Sequence, residues 1–258
     1  MPPLPAALAE ILQVANDPEV SFGALQRVIV RDQSLALRVL TVANSSYYGA
    51  SRQIDSVRGA VALLGTRQVQ NVASALALAP SFESELGPGL WRHGLACALW
   101  TEKIVAHLGL PSIESLFTSA LMHDIGIVML LARAHERALP CIELARTSGR
   151  PLLDCERELL GWDHAELGAK VCENWRLPAR IAQLIAVHEE KPTRADVAQA
   201  VLALADQLAR GHGCPELPWM QEAIDYAPAA NALGLGDADI EKLAERRVEV
   251  DGEVAIFT

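Results

Sequence analysis

The chain has 258 residues, a formal net charge of −10, and a composition that is 51% hydrophobic but only 5% aromatic. That length allows two modest domains or one large one, and the acidic balance excludes a general nucleic-acid binder, which needs a basic face to release counterions. A core built from Ala, Leu, Val and Ile favours helix over sheet, so the expected fold class is all-α.

Helical periodicity runs through most of the chain. Residues 6–16 form a first amphipathic helix, stopped by Asn16-Asp17-Pro18. Ser21 is placed to cap a second helix running to Arg31, and Asp32 a third through Leu35, Val39 and Val42. The polar and aromatic stretch Asn44 to Ala50 reads as a turn, with Tyr47 and Tyr48 as core aromatics or a partner contact. Asp55 then caps a short helix ending at Leu64 and Gly65, and Thr66 opens another towards Pro80. The segment Ser81 to Gly89 lacks periodicity, contains Gly-Pro-Gly and reads as a link.

After it, Leu90, His93, Cys97, Trp100, Ile104 and Leu108 recur at steps of three and four, in a helix ended by Gly109. The next segment, residues 115–134, is apolar nearly all round and therefore central, with His123 and Asp124 in its middle. Gly126 costs that helix about 1 kcal/mol relative to Ala, a cost that a close backbone approach would explain. A helix follows around residues 135–147. Asp163 and Glu166 then have capping-box spacing at the start of a helix whose apolar stripe carries His164, Val171 and Trp175. Another begins near Pro178 with Ile181, Leu184, Ile185 and His188 on one face, and Ala195 to Gly211 is the last strong helix, containing Asp206. Beyond it come a charged helix, Asp237 to Arg247, and a short alternating stretch at the C-terminus that is the one candidate strand. The resulting organisation is residues 1–89, residues 90–211 and a C-terminal extension, 212–258.

The five cysteines are odd in number, contain no C-x-x-C pair, and read as buried free thiols of a reducing compartment. The N-terminus lacks the basic and apolar regions of a signal peptide. No uninterrupted apolar run reaches the roughly 20 residues needed to span a bilayer. These features lead us to expect a cytoplasmic protein without membrane association.

His93, His123, Asp124, His164, His188 and Asp206 all fall on apolar seams of predicted helices. A buried imidazole or carboxylate is costly unless it is hydrogen-bonded or metal-bound. One such residue is ordinarily a satisfied core group; five segments that each carry one point to convergence. Mixed imidazole and carboxylate donors suit Mn, Fe or Zn. Taken singly, His93 fits a hydrogen-bonded core histidine, His123-Asp124 a buried polar pair, and His164 and His188 hydrogen-bond partners of other ligands. His107, His135 and His212 lack companions and are expected at the surface, and Arg52, Arg58 and Arg67 read as solvated charge.

The string Leu121-Met122-His123-Asp124-Ile125-Gly126 resembles the signature of the HD superfamily of metal-dependent phosphohydrolases. The resemblance implies that His93, His123, Asp124 and Asp206 ligate a first metal, with His164 and His188 as the extra histidines of two-metal subfamilies. The motifs Leu4-Pro5, Asn16-Asp17, Arg31-Asp32, Ala43-Asn44-Ser45, Leu63-Leu64-Gly65, Leu90-Trp91-Arg92-His93 and Trp162 to Gly168 together resemble a narrower group, the HDOD domain, over roughly residues 4–210. That resemblance implies an all-helical HDOD fold, with an N-terminal helical subdomain packed on an HD-like bundle. It also implies a regulatory role in bacterial signalling, through a protein partner or small ligand, without demonstrated hydrolysis. Two departures from the active HD-GYP phosphodiesterases point the same way. Their HDIGK lysine is Ile127 here, and their HHE followed by GYP is Val187-His188-Glu189 with no GYP. The competing reading is a metal-dependent phosphohydrolase acting on a nucleotide or cyclic dinucleotide.

Overall fold

Helix is the only regular structure among the residues that the computed structural model describes, namely 4–15, 22–111, 113, 115–220 and 224–258. The expected breaker at Asn16-Asp17-Pro18 and cap at Ser21 lie outside these residues. The chain divides into two compact units: Pro2–Ser81 together with Gly252–Thr258, and Phe82–Asp251.

The first unit contains α1 (Ala6–Ala15), α2 (Phe22–Arg31), α3 (Gln33–Ala43), α4 (Val57–Leu64) and α5 (Thr66–Leu78). Helix α5 is its centre, packing against α1, α3 and α4. Its residues Val69, Val72, Ala73, Ala75, Leu76 and Leu78 are buried, and the alanines allow close approach. Asp32 caps α3 as expected, its carboxylate accepting from Leu35 N at 3.0 Å. The cap of α4 is Ser56 rather than Asp55: Ser56 Oγ accepts from Gly59 N at 3.1 Å. A cap must stand immediately before the first helical residue to reach the third, and that position belongs to Ser56. Asn44 ties the turn after α3 shut, donating to Leu40 O and Ile54 O and accepting from Ile54 N.

The second unit runs α6 (Gly87–His107), α7 (Leu116–Met122), α8 (Ile125–Arg133), α9 (His135–Ser148), α10 (Leu152–Leu160), α11 (His164–Asn174), α12 (Ala179–Ala186), α13 (Val197–Gly211), α14 (Ala227–Leu233) and α15 (Asp237–Ala244). Helix α16 (Arg247–Phe257) follows, and the unit boundary falls inside it. Gly-Pro-Gly is not a link but the first turn of α6, where the missing N–H of Pro88 costs nothing. The expected C-terminal strand is α16 instead. Its valines alternate in sequence, but the buried ones are Val250 and Val254, one helical turn apart, while Val248 is 79% exposed. The stretch Leu116–Arg133 has the length and mean hydropathy (1.4) of a membrane span, yet 83% of it is buried inside the protein, as befits a core element.

Helix α6 packs on α7 and α13, and α11 packs on α8 and α12. Glycines let backbones touch at these crossings. A Cβ on Gly94 would lie 2.7 Å from Leu121 O, and one on Gly126 would overlap His164 O. Gly168 faces Gly126 from the other side: a Cβ there would lie 3.3 Å from Gly126 N.

Helix α13 is capped by Asp196, which accepts from Gln199 N at 3.1 Å and pairs with Arg180. The Arg180 side chain holds the Asp196 carboxyl below its ordinary value, against a small opposing effect of burial. Asp196→Ala should cost about 1 kcal/mol, as cap removals typically do. Because the folded pKa is depressed, this contribution is present above the ordinary carboxylate pKa of about 3.9 and lost as pH falls through the folded value. Urea midpoints of the two proteins should therefore differ at pH 7 and converge in strong acid.

Candidate metal centre

On a regular α-helix adjacent side chains diverge by about 100°, so His123 and Asp124 in mid-helix could not face one point. The structure breaks the helix there. Helix α7 ends at Met122, α8 starts at Ile125, and Asp124 takes φ −92°, ψ 15°. The expectation of one continuous helix through the doublet is thereby corrected, and the break is what turns both side chains inward. His188 likewise does not ride on the face of α12. It lies in the turn after the helix, where Gln199 Nε2 donates to Val187 O at 3.0 Å.

The six residues singled out from the sequence come together. His93 Nε2 lies 3.1 Å from His123 Nε2, 3.1 Å from Asp206 Oδ1 and 3.6 Å from Asp124 Oδ2. His123 Nε2 lies 3.2 Å from Asp124 Oδ2. The other carboxylate oxygen of Asp124 faces His188 Nε2 at 3.6 Å and His164 Nε2 at 3.8 Å. Asp124 thus stands between two donor groups: His93, His123 and Asp206 on one side, His164 and His188 on the other. A seventh residue, Glu189, joins the second group, its Oε1 3.5 Å from His164 Nε2 and 3.6 Å from His188 Nε2. His93, His123, Asp124 and His164 are buried.

Every imidazole is oriented through its other nitrogen. Nδ1 of His93 donates to Cys214 O, that of His123 to Ala120 O and that of His188 to Ile185 O, each at 2.7 Å. A carbonyl can only accept, so these Nδ1 atoms carry the proton and the Nε2 lone pairs face the centre. Nδ1 of His164 is held at 2.6 Å by the buried carboxylate of Glu156, which also accepts from His164 N at 2.8 Å.

The consequence is electrostatic. Two Nε2 lone pairs 3.1 Å apart repel unless a proton or a metal ion lies between them, and Asp124 Oδ2, His164 Nε2 and His188 Nε2 are buried with no hydrogen bond. Burial alone would raise the carboxylate pKa values and lower those of the imidazoles. The neighbours win. Against burial, His123 and His188 hold Asp124 well below its ordinary value, and Arg210 and His93 do the same for Asp206. Against burial, His164, His188 and Arg210 bring Glu189 to about 2. Burial pulls down the remaining imidazoles, yet His93 stands well above its ordinary value beside Cys97 and Asp206, His164 does so beside Glu156 and Glu189, and His188 is raised by Asp124 and Glu189. The cluster attracts positive charge, and its donors are the imidazole and carboxylate types that a divalent ion takes. The residues fit a metal.

Glu156 was not anticipated, nor was the latch formed by Arg210. That guanidinium lies 3.2 Å from Asp206 Oδ1, 2.8 Å from Glu216 Oε1 and 3.8 Å from Glu189 Oε1. Both carried a signal: Glu156 shares the apolar face of α10 with Leu152 and Cys155, and Arg210 stands one turn beyond Asp206. Since partners of this kind typically contribute 10- to 100-fold to metal affinity, Glu156→Ala should weaken metal binding by about that factor. Competition against a chromogenic chelator would measure it. Among the remaining histidines, His107 pairs with Asp239 at 3.1 Å while staying exposed, and His135 is exposed. His212 departs from the surface expectation: it is half-buried and stacks on Trp100 at 5.5 Å.

The family profile of the HDOD domain matches residues 1–191. The chain belongs to the HDOD domain family. Its solved relatives include an HDOD domain protein of unknown function from Geobacter sulfurreducens, 23% identical, with a TM-score of 0.86 over 100% of this chain and 93% of that one. A candidate phosphohydrolase from Shewanella amazonensis SB2B is 24% identical, with a TM-score of 0.77 over 100% of this chain and 95% of that one. A candidate signal transduction protein from Marinobacter aquaeolei VT8 is 23% identical, with a TM-score of 0.77 over 100% of this chain and 60% of that one. At these identities the likeness carries the fold alone. An uncharacterized protein from Treponema pallidum (strain Nichols) is 24% identical over 197 residues, which span 74% of this HDOD chain but 38% of that protein's length. The family match ends before Asp206 and Arg210, so their place in the HDOD centre comes from the packing of α13 on α6.

Proposed function

We propose that this HDOD protein is a regulatory module that binds a signalling protein partner or a small ligand, and that its metal centre, holding Mn, Fe or Zn, serves the fold and does not turn over substrate. The observation that carries this reading is the position of Glu189. Its carboxylate is the most exposed of the cluster and stands over His164 and His188, with Arg210 behind it. An incoming phosphate would have to displace that carboxylate. Ile127 supports the same reading: it is 2% exposed, in the core of the unit, and offers no cation to a phosphate.

The intact donor set favours a second reading, a metal-dependent phosphohydrolase acting on a nucleotide or cyclic dinucleotide. A divalent ion bound there would supply Lewis acidity and an acidified water. The chain's own residues would then hold substrate through Arg210, once Glu189 had swung away.

Metal-loaded protein incubated with cyclic dinucleotides, nucleotides and generic phosphodiesters decides between them. The expected result is no metal-dependent turnover. Turnover that disappears in His123→Ala and Asp124→Ala but persists in Glu241→Ala, an exposed control, would make the protein an enzyme.

A further inference from the structure

We propose that a cleft between the C-terminal turns of α6 and α15 binds a phosphate monoester of mononucleotide size. The proposal deepens the reading of this protein as a module for a small ligand, and it gives that ligand a place apart from the metal centre. Lys103, on the wall of the cleft, stands ten residues beyond His93 on α6, about 15 Å along the helix axis.

The cleft has a volume of about 290 Å³, and its basic side chains are Lys103 and His107 from α6, Lys242 from α15 and Arg246 from the turn after α15. Three of them are held in place by carboxylates that do not line the cleft. Lys103 Nζ donates to Glu249 Oε2 at 3.1 Å, and Arg246 Nη1 lies 3.1 Å from the other oxygen, Oε1. One carboxylate thus fixes two cations, and the Lys103 side chain is only 17% exposed. His107 Nε2 lies 3.1 Å from Asp239 Oδ1, while Asp239 Oδ2 accepts from Gly236 N at 3.0 Å. Lys242 is exposed at the rim.

Glu249 and Asp239 cancel much of the long-range field, so a ligand is recognised here at short range. A guanidinium has five N–H donors and an ammonium three, and Arg246 gives Glu249 one of its five. Donors already oriented by a carboxylate cost a ligand little ordering entropy. A phosphate presents enough oxygens to accept from a lysine and an arginine at once, and charge-assisted bonds of this kind are the strong ones. The volume exceeds what a bare phosphate needs and stands at the small end of ligand pockets, which run from about 300 to 1,000 Å³. Ala106 and the buried Leu243 give the organic part of the ligand an apolar wall. Glu245, the one carboxylate of the lining, offers an acceptor to its hydroxyl groups. A nucleoside monophosphate has all three parts: phosphate, hydroxyls and an apolar ring face.

Calorimetric titration of the full-length protein with AMP tests this, with adenosine as the probe that lacks the phosphate. AMP should bind and adenosine should bind at least about tenfold more weakly, the factor expected from one charge-assisted hydrogen bond. Lys242→Glu and Arg246→Gln should each weaken AMP by about tenfold or more. Lys170→Glu, the same charge change at an exposed position of α11, should leave the affinity within about twofold, because field effects between exposed charges are screened. No heat with millimolar AMP, equal binding of AMP and adenosine, or an equal loss in Lys170→Glu would each overturn the proposal. AMP binding that survives in Lys242→Glu and is lost in Asp124→Ala would place the nucleotide at the metal centre instead, overturning the cleft while leaving the metal reading standing. Lys242 is exposed, so its variant keeps the fold and decides the matter by itself.

Discussion

Removing divalent metal from the protein should lower its thermal midpoint by roughly 10 °C, and returning Mn²⁺, Fe²⁺ or Zn²⁺ should restore it. Ligand at about 1,000 times its dissociation constant stabilises the folded state by about 4 kcal/mol. In a chain of this size each kcal/mol moves the midpoint by about 2–4 °C. His123→Ala and Asp124→Ala should abolish the response, since each removes donors from the middle of the cluster.

The metal effect should grow between pH 6 and pH 8, for two reasons of the same sign. Metal takes the neutral imidazole, so protons compete with it for the Nε2 lone pairs. In the metal-free protein His93, His164 and His188 sit above their ordinary value. Their stabilising contribution is therefore complete below about 6.5 and is lost as pH rises through the folded values. Asp124, Asp206 and Glu189 are held low, so their contribution is complete above about 4 and lost in acid. Metal-free protein should be most stable between about pH 4 and 6.5. Calorimetric scans with and without chelator between pH 6 and pH 8 give the comparison, and a gap that narrows towards pH 8 would refute it.

Gly126→Ala should cost at least about 3 kcal/mol, in spite of the roughly 1 kcal/mol by which alanine favours a helix. The added Cβ would fall on the carbonyl oxygen of His164. That obstacle is backbone, so no rotamer change relieves it, and α11 would have to move off α8. His164 is the first residue of α11, so the same shift would pull its imidazole from the second donor group. Loss of stability in urea should therefore be accompanied by weaker metal binding. Gly89→Ala is the control: its Cβ would meet only Glu216 O at 3.5 Å, an ordinary contact, and its stability should be unchanged or slightly higher. An unaffected Gly126→Ala protein would mean that α8 and α11 do not approach as closely as described.

Much of this was legible one residue at a time. The steps of three and four placed His93 and Cys97 on one face of α6, the Asp32 and Asp163 caps stand at the right spacing before a following helix, and Gly126 announced a backbone contact by its cost to a helix. Polar residues on apolar seams identified six members of the cluster, because burial of such groups is costly wherever it occurs. Glu156 meets the same criterion, one turn beyond Leu152 on the apolar face of α10, yet it stands outside the motifs that drew attention to the other six.

Local pattern alone could not show the break between α7 and α8, because apolar residues run through it without a change of period. Nor could it show that α16 is helical, because alternating valines suit a strand until the depth of Val250 and Val254 is known. Composition, helical period, capping and the identity of the candidate donors are properties of neighbouring residues, and the sequence determines them by itself. Which lone pairs face one another, that Asp124 divides its two oxygens between two groups, and that Glu189 and Arg210 close over the second depend on helices far apart in the chain. Only the crossings of α6 with α13 and of α8 with α11, where packed side chains and touching glycine backbones leave one arrangement, decide those distances.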